Sequence, residues 1–293
     1  PRLAKALGLT SAEHAVLKYA GLKDKHAVTT QLLSVRPRDA AARGWPAEVS
    51  APALTARLVG FAKGDAEAAW IHRNEFTLVV RDLSPGAVRE MGRRAALMDL
   101  RTPDTRPPLR TLLVVNAFGE QRFGSARHGE GFAGRELVKG RFEKALQLLI
   151  GTPARKDSGA RREFTRLLAN GWGDWKRVLK AFPRCPHRGA VEALAEGRGF
   201  KEAFEALPYL DQQMAVEAYQ SFLWNAAASE LLQNLPGAET TETDYGPLIV
   251  PQASSVPEAW RTLQIPTPAT GMRPVEPWAP AMARALSREG LHP

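Results

Sequence analysis

Long apolar runs are missing from this 293-residue chain. None approaches the ~18 consecutive residues a membrane helix requires. The first ten residues carry Arg2 and Lys5 and no apolar stretch, so they do not spell a secretory signal. Cysteine is nearly absent. Cys185 stands alone, which excludes a disulfide within the chain and fits a reducing cytoplasm. One cysteine and six scattered histidines give no zinc-ligand spacing, so no metal is expected. Closeness of Cys185 and His187 in sequence does not make a thiol–imidazole pair, and Cys185 reads as a small buried thiol. There is no internal repeat and no low-complexity tract. Acidic residues are outnumbered: 31 face 40 lysines and arginines, giving a net charge of +9 and a pI near 9.9. That balance points to a polyanionic partner, nucleic acid first, against the plain alternative of a generally arginine-rich composition.

What is present is ordinary for a globular protein: 44% hydrophobic and 24% charged residues. The length suggests two domains with a sizeable core. Thr10 and Glu13 have capping-box spacing, predicting a short helix to about Tyr19 that stops at Gly21. Residues 31–36, 57–61, 75–81 and 111–115 read as strands. A helix over 84–100 should bury a stripe of Val88, Met91, Ala95 and Met98. Pro103, Pro107 and Pro108 interrupt the chain. Helical patterns then dominate over 135–150, 160–169, 172–181, 188–196, 200–206 and 210–234. A strand at 245–250 and a short helix near 279–289 follow. The expectation is a mixed α/β front and a mostly helical second part.

Three segments carry possible chemistry. In the first, Lys23-Asp24-Lys25-His26 sits between a helix end and a strand. Asp24 is either a solvated turn residue or an ionised nucleophile in a cationic groove. In the second, residues 116–124, Asn116 offers an amide N–H to a carboxylate, and Phe118 offers a ring on which an extruded base can stack. Its plain reading is a hairpin-like loop with core aromatics. The third, residues 218–225, lies on the long helix and reads mainly as core. Gly129-Glu130-Gly131-Phe132-Ala133-Gly134 spells a dinucleotide fingerprint but lacks the preceding strand and the βαβ unit, so it reads as a loop opening a helix, with no nucleotide cofactor. The clusters Arg93-Arg94, Arg161-Arg162 and Lys139 to Lys144 are candidate phosphate contacts or solvated faces.

Together, in order and spacing, residues 19–31, 116–124 and 220–225 resemble the TruD family of pseudouridine synthases. The resemblance implies an α+β pseudouridine synthase fold, with a mixed, mainly antiparallel central sheet and a mostly helical TRUD insertion domain. The corresponding division is a catalytic part over 1–141 and an insertion domain over 142–293. It implies isomerisation of a uridine in tRNA, typically uridine 13 of the D arm, by a monomeric cytoplasmic enzyme without metal or cofactor. By motif match Asp24 is the nucleophile, Asn116 orients it and Phe118 stacks on the flipped base. Lys23, Lys25, His26, Gln121 and Arg122 become candidate RNA contacts. The family's usual strand before the Asp motif and its closing sheet strands are not found here, so a chain short at both ends is expected. The alternative is a basic RNA-binding or RNA-folding protein without turnover.

Overall fold

The computed structural model describes residues 2–21, 23, 27–72, 74–100, 112–124, 126, 129–154, 157 and 159–292. Asp24, Lys25, His26 and the proline-broken segment 101–111 lie outside the described residues. Two units divide at Asp82 and Leu83.

The first unit holds short elements: α1 (Arg2–Ala6), β1 (Lys18–Tyr19), β2 (Leu33–Ser34), α2 (Pro37–Ala42), β3 (Glu48–Ala51) and β4 (Leu54–Arg57). The helix predicted to reach Tyr19 is a tighter 3₁₀ turn over Ser11–Val16, because Lys18 and Tyr19 pair antiparallel with Ser34 and Leu33. Its entry is fixed as the capping spacing suggests: the Glu13 carboxylate accepts from the Thr10 amide at 2.9 Å and the Thr10 hydroxyl at 2.8 Å. These bonds, with Arg43, lower the Glu13 pKa to about 2. Pro37 ends the β2 segment and opens α2, where a proline lacks no hydrogen bond. β3 and β4 form a hairpin that the sequence patterning missed, with Ala53 in the left-handed region at its turn.

Residues 59–61 and 75–80 take no regular secondary structure and, among the described residues, join no ladder, while the Leu58 amide donates to the Ala47 carbonyl at 2.7 Å beside the hairpin. Phe76 and Leu78 are about four-fifths exposed, at 78% and 83%. A strand is stable only beside another strand, and among the described residues 75–80 make no backbone hydrogen bond to one.

The second unit contains α3 (Pro85–Leu97), α4 (Ala133–Val138), α5 (Phe142–Leu146), α6 (Gly159–Gly171), α7 (Trp175–Ala181), α8 (Arg188–Ala195), α9 (Phe200–Glu205), α10 (Tyr209–Leu232), β5 (Glu239–Thr241), β6 (Leu248–Val250) and α11 (Ala279–Arg288). Ser84 caps α3, accepting from the Ala87 amide at 3.2 Å. The predicted apolar stripe of α3 is not buried: Val88 and Met91 are exposed. Charge anchors the helix instead. Arg93 spans from Glu90 to Glu239 on β5, at 2.8 and 2.6 Å. The segment read as a strand at 111–115 makes one bridge, Leu112 with Asp99.

Helices α4 to α9 enclose the main core, which includes Leu146, Leu148, Ile150, Phe164, Leu168, Val178 and Val191. The predicted helix over 135–150 breaks at Gly140, whose φ of +70° suits glycine, and the later turn Gln147–Gly151 widens to π-type bonding. A second core joins Tyr219, Leu223 and Ala227 of α10 to Met282, Ala285 and Leu286 of α11 and to Trp278 just before it. Buried Glu230 of α10 binds both Arg284 and Arg288 of α11. β5 and β6 pair antiparallel, confirming the predicted strand at its later half.

The class is therefore α+β, and every described pairing is antiparallel. The expected long central sheet is not assembled among the described residues: the strands form three separate pairs. No described helix is long and apolar enough to cross a membrane.

Candidate active site

The loop 116–124 is held by one face of α10. Asn225, only 6% exposed, meets both backbone polar groups of Phe118. Its Oδ1 accepts from the Phe118 amide and its Nδ2 donates to the Phe118 carbonyl, each at 2.9 Å. The Phe118 ring lies edge-to-face with Trp224, centroids 5.6 Å apart. Trp224 is itself fixed by donation from Nε1 to the Ile265 carbonyl at 2.8 Å. The Arg122 guanidinium sits 5.4 Å from the Phe118 ring centroid, and Glu217 holds it at 2.5 Å. Glu217, Ser221 and Asn225 are four residues apart, so they share one stripe of the helix.

The far end of the loop is anchored differently. Phe123, 2% exposed, packs on Tyr245 at 4.4 Å and on Phe132 at 6.1 Å. Phe132 in turn contacts Tyr219 and Phe222. Burial and the Glu289 charge raise the pKa of Tyr219, whose hydroxyl donates to Glu289 at 3.0 Å. Burial likewise raises that of Tyr245.

Between these anchors Phe118 is half-buried, while Asn116 and Gln121 are exposed. Among the described residues neither amide side chain makes a hydrogen bond, so both are available to a ligand. In the first unit, Lys23 donates to Asn74 Oδ1 at 3.2 Å on an exposed surface. Asp24, Lys25 and His26 lie outside the described residues. Of the predicted site residues, Asn116, Phe118, Gln121 and Arg122 are thus brought onto one loop.

Trp224 and Asn225 lie in the third sequence segment, read mainly as core, but neither they nor Glu217 were given a role in the site. A signal existed: Glu217, Ser221 and Asn225 recur every four residues along one stripe of the helix, and buried polar groups need partners.

Other sequence motifs resolve into structure. Gly134, the last glycine of the fingerprint-like run, lies where α4 presses on α10: a Cβ there would sit 2.7 Å from the Ala215 carbonyl and 2.8 Å from Tyr219 Cβ. Close helix contact, not a phosphate, explains it. Cys185 is half-buried rather than fully buried, packed beside the main core. His187 pairs with Asp211 at 2.8 Å through Nε2. Arg93 and Arg94 are engaged with Glu90. Among the described residues no group of three or more His, Cys, Asp or Glu is placed to hold a metal ion.

A family model described as tRNA pseudouridine synthase D (TruD) matches residues 1–266. The tRNA pseudouridine synthase D of Aquifex aeolicus is 34% identical over 209 residues, covering 71% of this chain and 50% of that protein. A Thermococcus onnurineus protein named probable tRNA pseudouridine synthase D is 29% identical over 267 residues, covering 90% of this chain and 58% of that one. The crystal structure of a Methanosarcina mazei protein given the TruD name superposes with a TM-score of 0.59 at 20% identity, covering 99% of this chain and 69% of that chain. That likeness speaks for the fold alone. The chain spans about half the length of the curated relatives it matches.

Proposed function

This chain belongs to the TruD family, and from that membership we propose that it acts in the isomerisation of uridine to pseudouridine in tRNA, with uridine 13 of the D arm as target. Residues 1–141 form the catalytic part and 142–293 the insertion domain. Asp24 is the nucleophile, ionised at neutral pH as an ordinary carboxylate is. Asn116 orients it, and Lys23, Lys25, His26, Gln121 and Arg122 contact the RNA around the target.

The reaction rearranges bonds without net oxidation. The N1–C1′ glycosidic bond breaks, the base turns, and a C5–C1′ bond forms. The C5 proton leaves and N1 gains one. The target base must leave its stack, at a cost of a few kcal/mol. A ring such as Phe118 returns about 1–3 kcal/mol by stacking, which offsets much of that cost. The supporting observation is the presentation of Phe118: a half-buried ring fixed on its backbone side, beside the unengaged amides of Asn116 and Gln121.

A second reading is a basic RNA-binding protein without turnover. It is favoured by the segment 75–80, which joins no ladder among the described residues. Tritium release from tRNA transcripts labelled at uridine C5 separates the two. Release supports the synthase. Bound tRNA with no release supports the binder.

A further inference from the structure

We propose that Asn225 is a positioning residue for the reaction, acting through Phe118; this rests on the reading of Phe118 as the base-stacking ring. A stacking ring contributes only if it waits where the base arrives, because ordering it during the encounter consumes the binding free energy it supplies. Among the described residues Phe118 lies on a loop that joins no ladder. Its backbone is nonetheless fixed, since one buried amide satisfies its N–H and its C=O together. An amide is the side-chain group that both donates and accepts in one plane without charge. A carboxylate at this site accepts from the N–H but confronts the carbonyl with a second acceptor. An apolar residue leaves the Phe118 N–H and C=O without these partners.

The contact joins residues 107 apart in sequence, so it ties the loop to a 24-residue helix rather than to its own neighbours. Trp224, one position earlier, sets the ring as Asn225 sets the backbone. The third sequence segment, residues 220–225, then has a role in the site: it carries the support for the second.

The test uses the full chain with tRNA, and the variants Asn225→Ala, Asn225→Asp, Phe118→Ala and the double Asn225→Ala/Phe118→Ala. Hydrogen exchange on the intact proteins reads the clamp independently of turnover. Faster exchange over residues 116–119 in Asn225→Ala, with α10 still protected, is the expected result. Asn225→Ala should lower kcat about 10- to 100-fold, as small displacements of positioned groups do. KM for tRNA should move little. The double variant should be no slower than Phe118→Ala, since a residue acting through Phe118 has nothing left to position. Losses that multiply in the double variant, or unchanged exchange over 116–119, overturn the proposal. If Phe118→Ala keeps full kcat while exchange in Asn225→Ala still rises, the clamp is real and the stacking role of Phe118 is what has failed. That outcome removes the part of Asn225 in the reaction as well.

Discussion

Arg122 lies over the ring of Phe118, 5.4 Å from its centroid, and Glu217 keeps it there. The ring thus waits beside a cation, in a position suited to an electron-rich base and to the phosphate that follows it. Phe118→Ala should lower kcat/KM by ~5- to 150-fold, the equivalent of the ~1–3 kcal/mol of one base–aromatic stack. Steady-state kinetics on a tRNA transcript check this. Phe118→Tyr, which keeps the ring, should lose far less.

Asp24→Ala and Asp24→Asn should both abolish turnover while leaving tRNA affinity nearly intact, because one carboxylate among many cations contributes little to binding a polyanion. Tritium release and filter binding on the same samples measure the two quantities. Retained turnover in either variant would remove Asp24 from the role of nucleophile.

Gly134→Ala should destabilise the second unit by about 1–3 kcal/mol, the usual cost of overpacking. The added Cβ meets a backbone carbonyl and the Cβ of Tyr219, neither of which is a flexible tip. Urea denaturation followed by far-ultraviolet circular dichroism gives the value. A stability equal to the parent's would mean that α4 shifts freely on α10.

Glu90 accepts from Arg93 and Arg94, and these bonds lower its pKa from 4.5 to about 2. A carboxylate depressed in the folded state stabilises above its unfolded pKa and loses that contribution as pH falls through the folded one. The stability difference between the parent and Glu90→Gln should therefore shrink as pH falls from about 4.5 toward about 2. Thermal melts across that window test it. The effect should also weaken with added salt, since the cluster is solvent-exposed.

The helices were legible because their signals are local. Ser84, Pro85 and the 3.6-residue period over 188–196 place α3 and α8 without knowledge of any neighbour. The strands were not, because pairing is a property of two segments. Residues 75–81 have the compositional marks of a strand yet join no ladder among the described residues, whereas Glu48–Ala51, which lacks those marks, pairs with Leu54–Arg57. The stripe on α3 failed for a related reason: periodicity shows that Val88 and Met91 share a face, not that anything covers it. Phe118 was visible from its loop motif. Asn225 stood in the third motif, but its bond to Phe118 was not legible, because the partner is 107 residues away and a helix rich in aromatics reads as core.

The unpaired stretch 75–80 has a practical consequence. Phe76, Leu78, Val79 and Val80 are all more than half exposed, in a β-prone run without proline. Among the described residues its amides make no backbone hydrogen bond, and such groups flanked by β-prone side chains template the addition of another chain. The purified protein should therefore turn turbid as its concentration rises, and a lysine in place of Leu78 should keep it in solution.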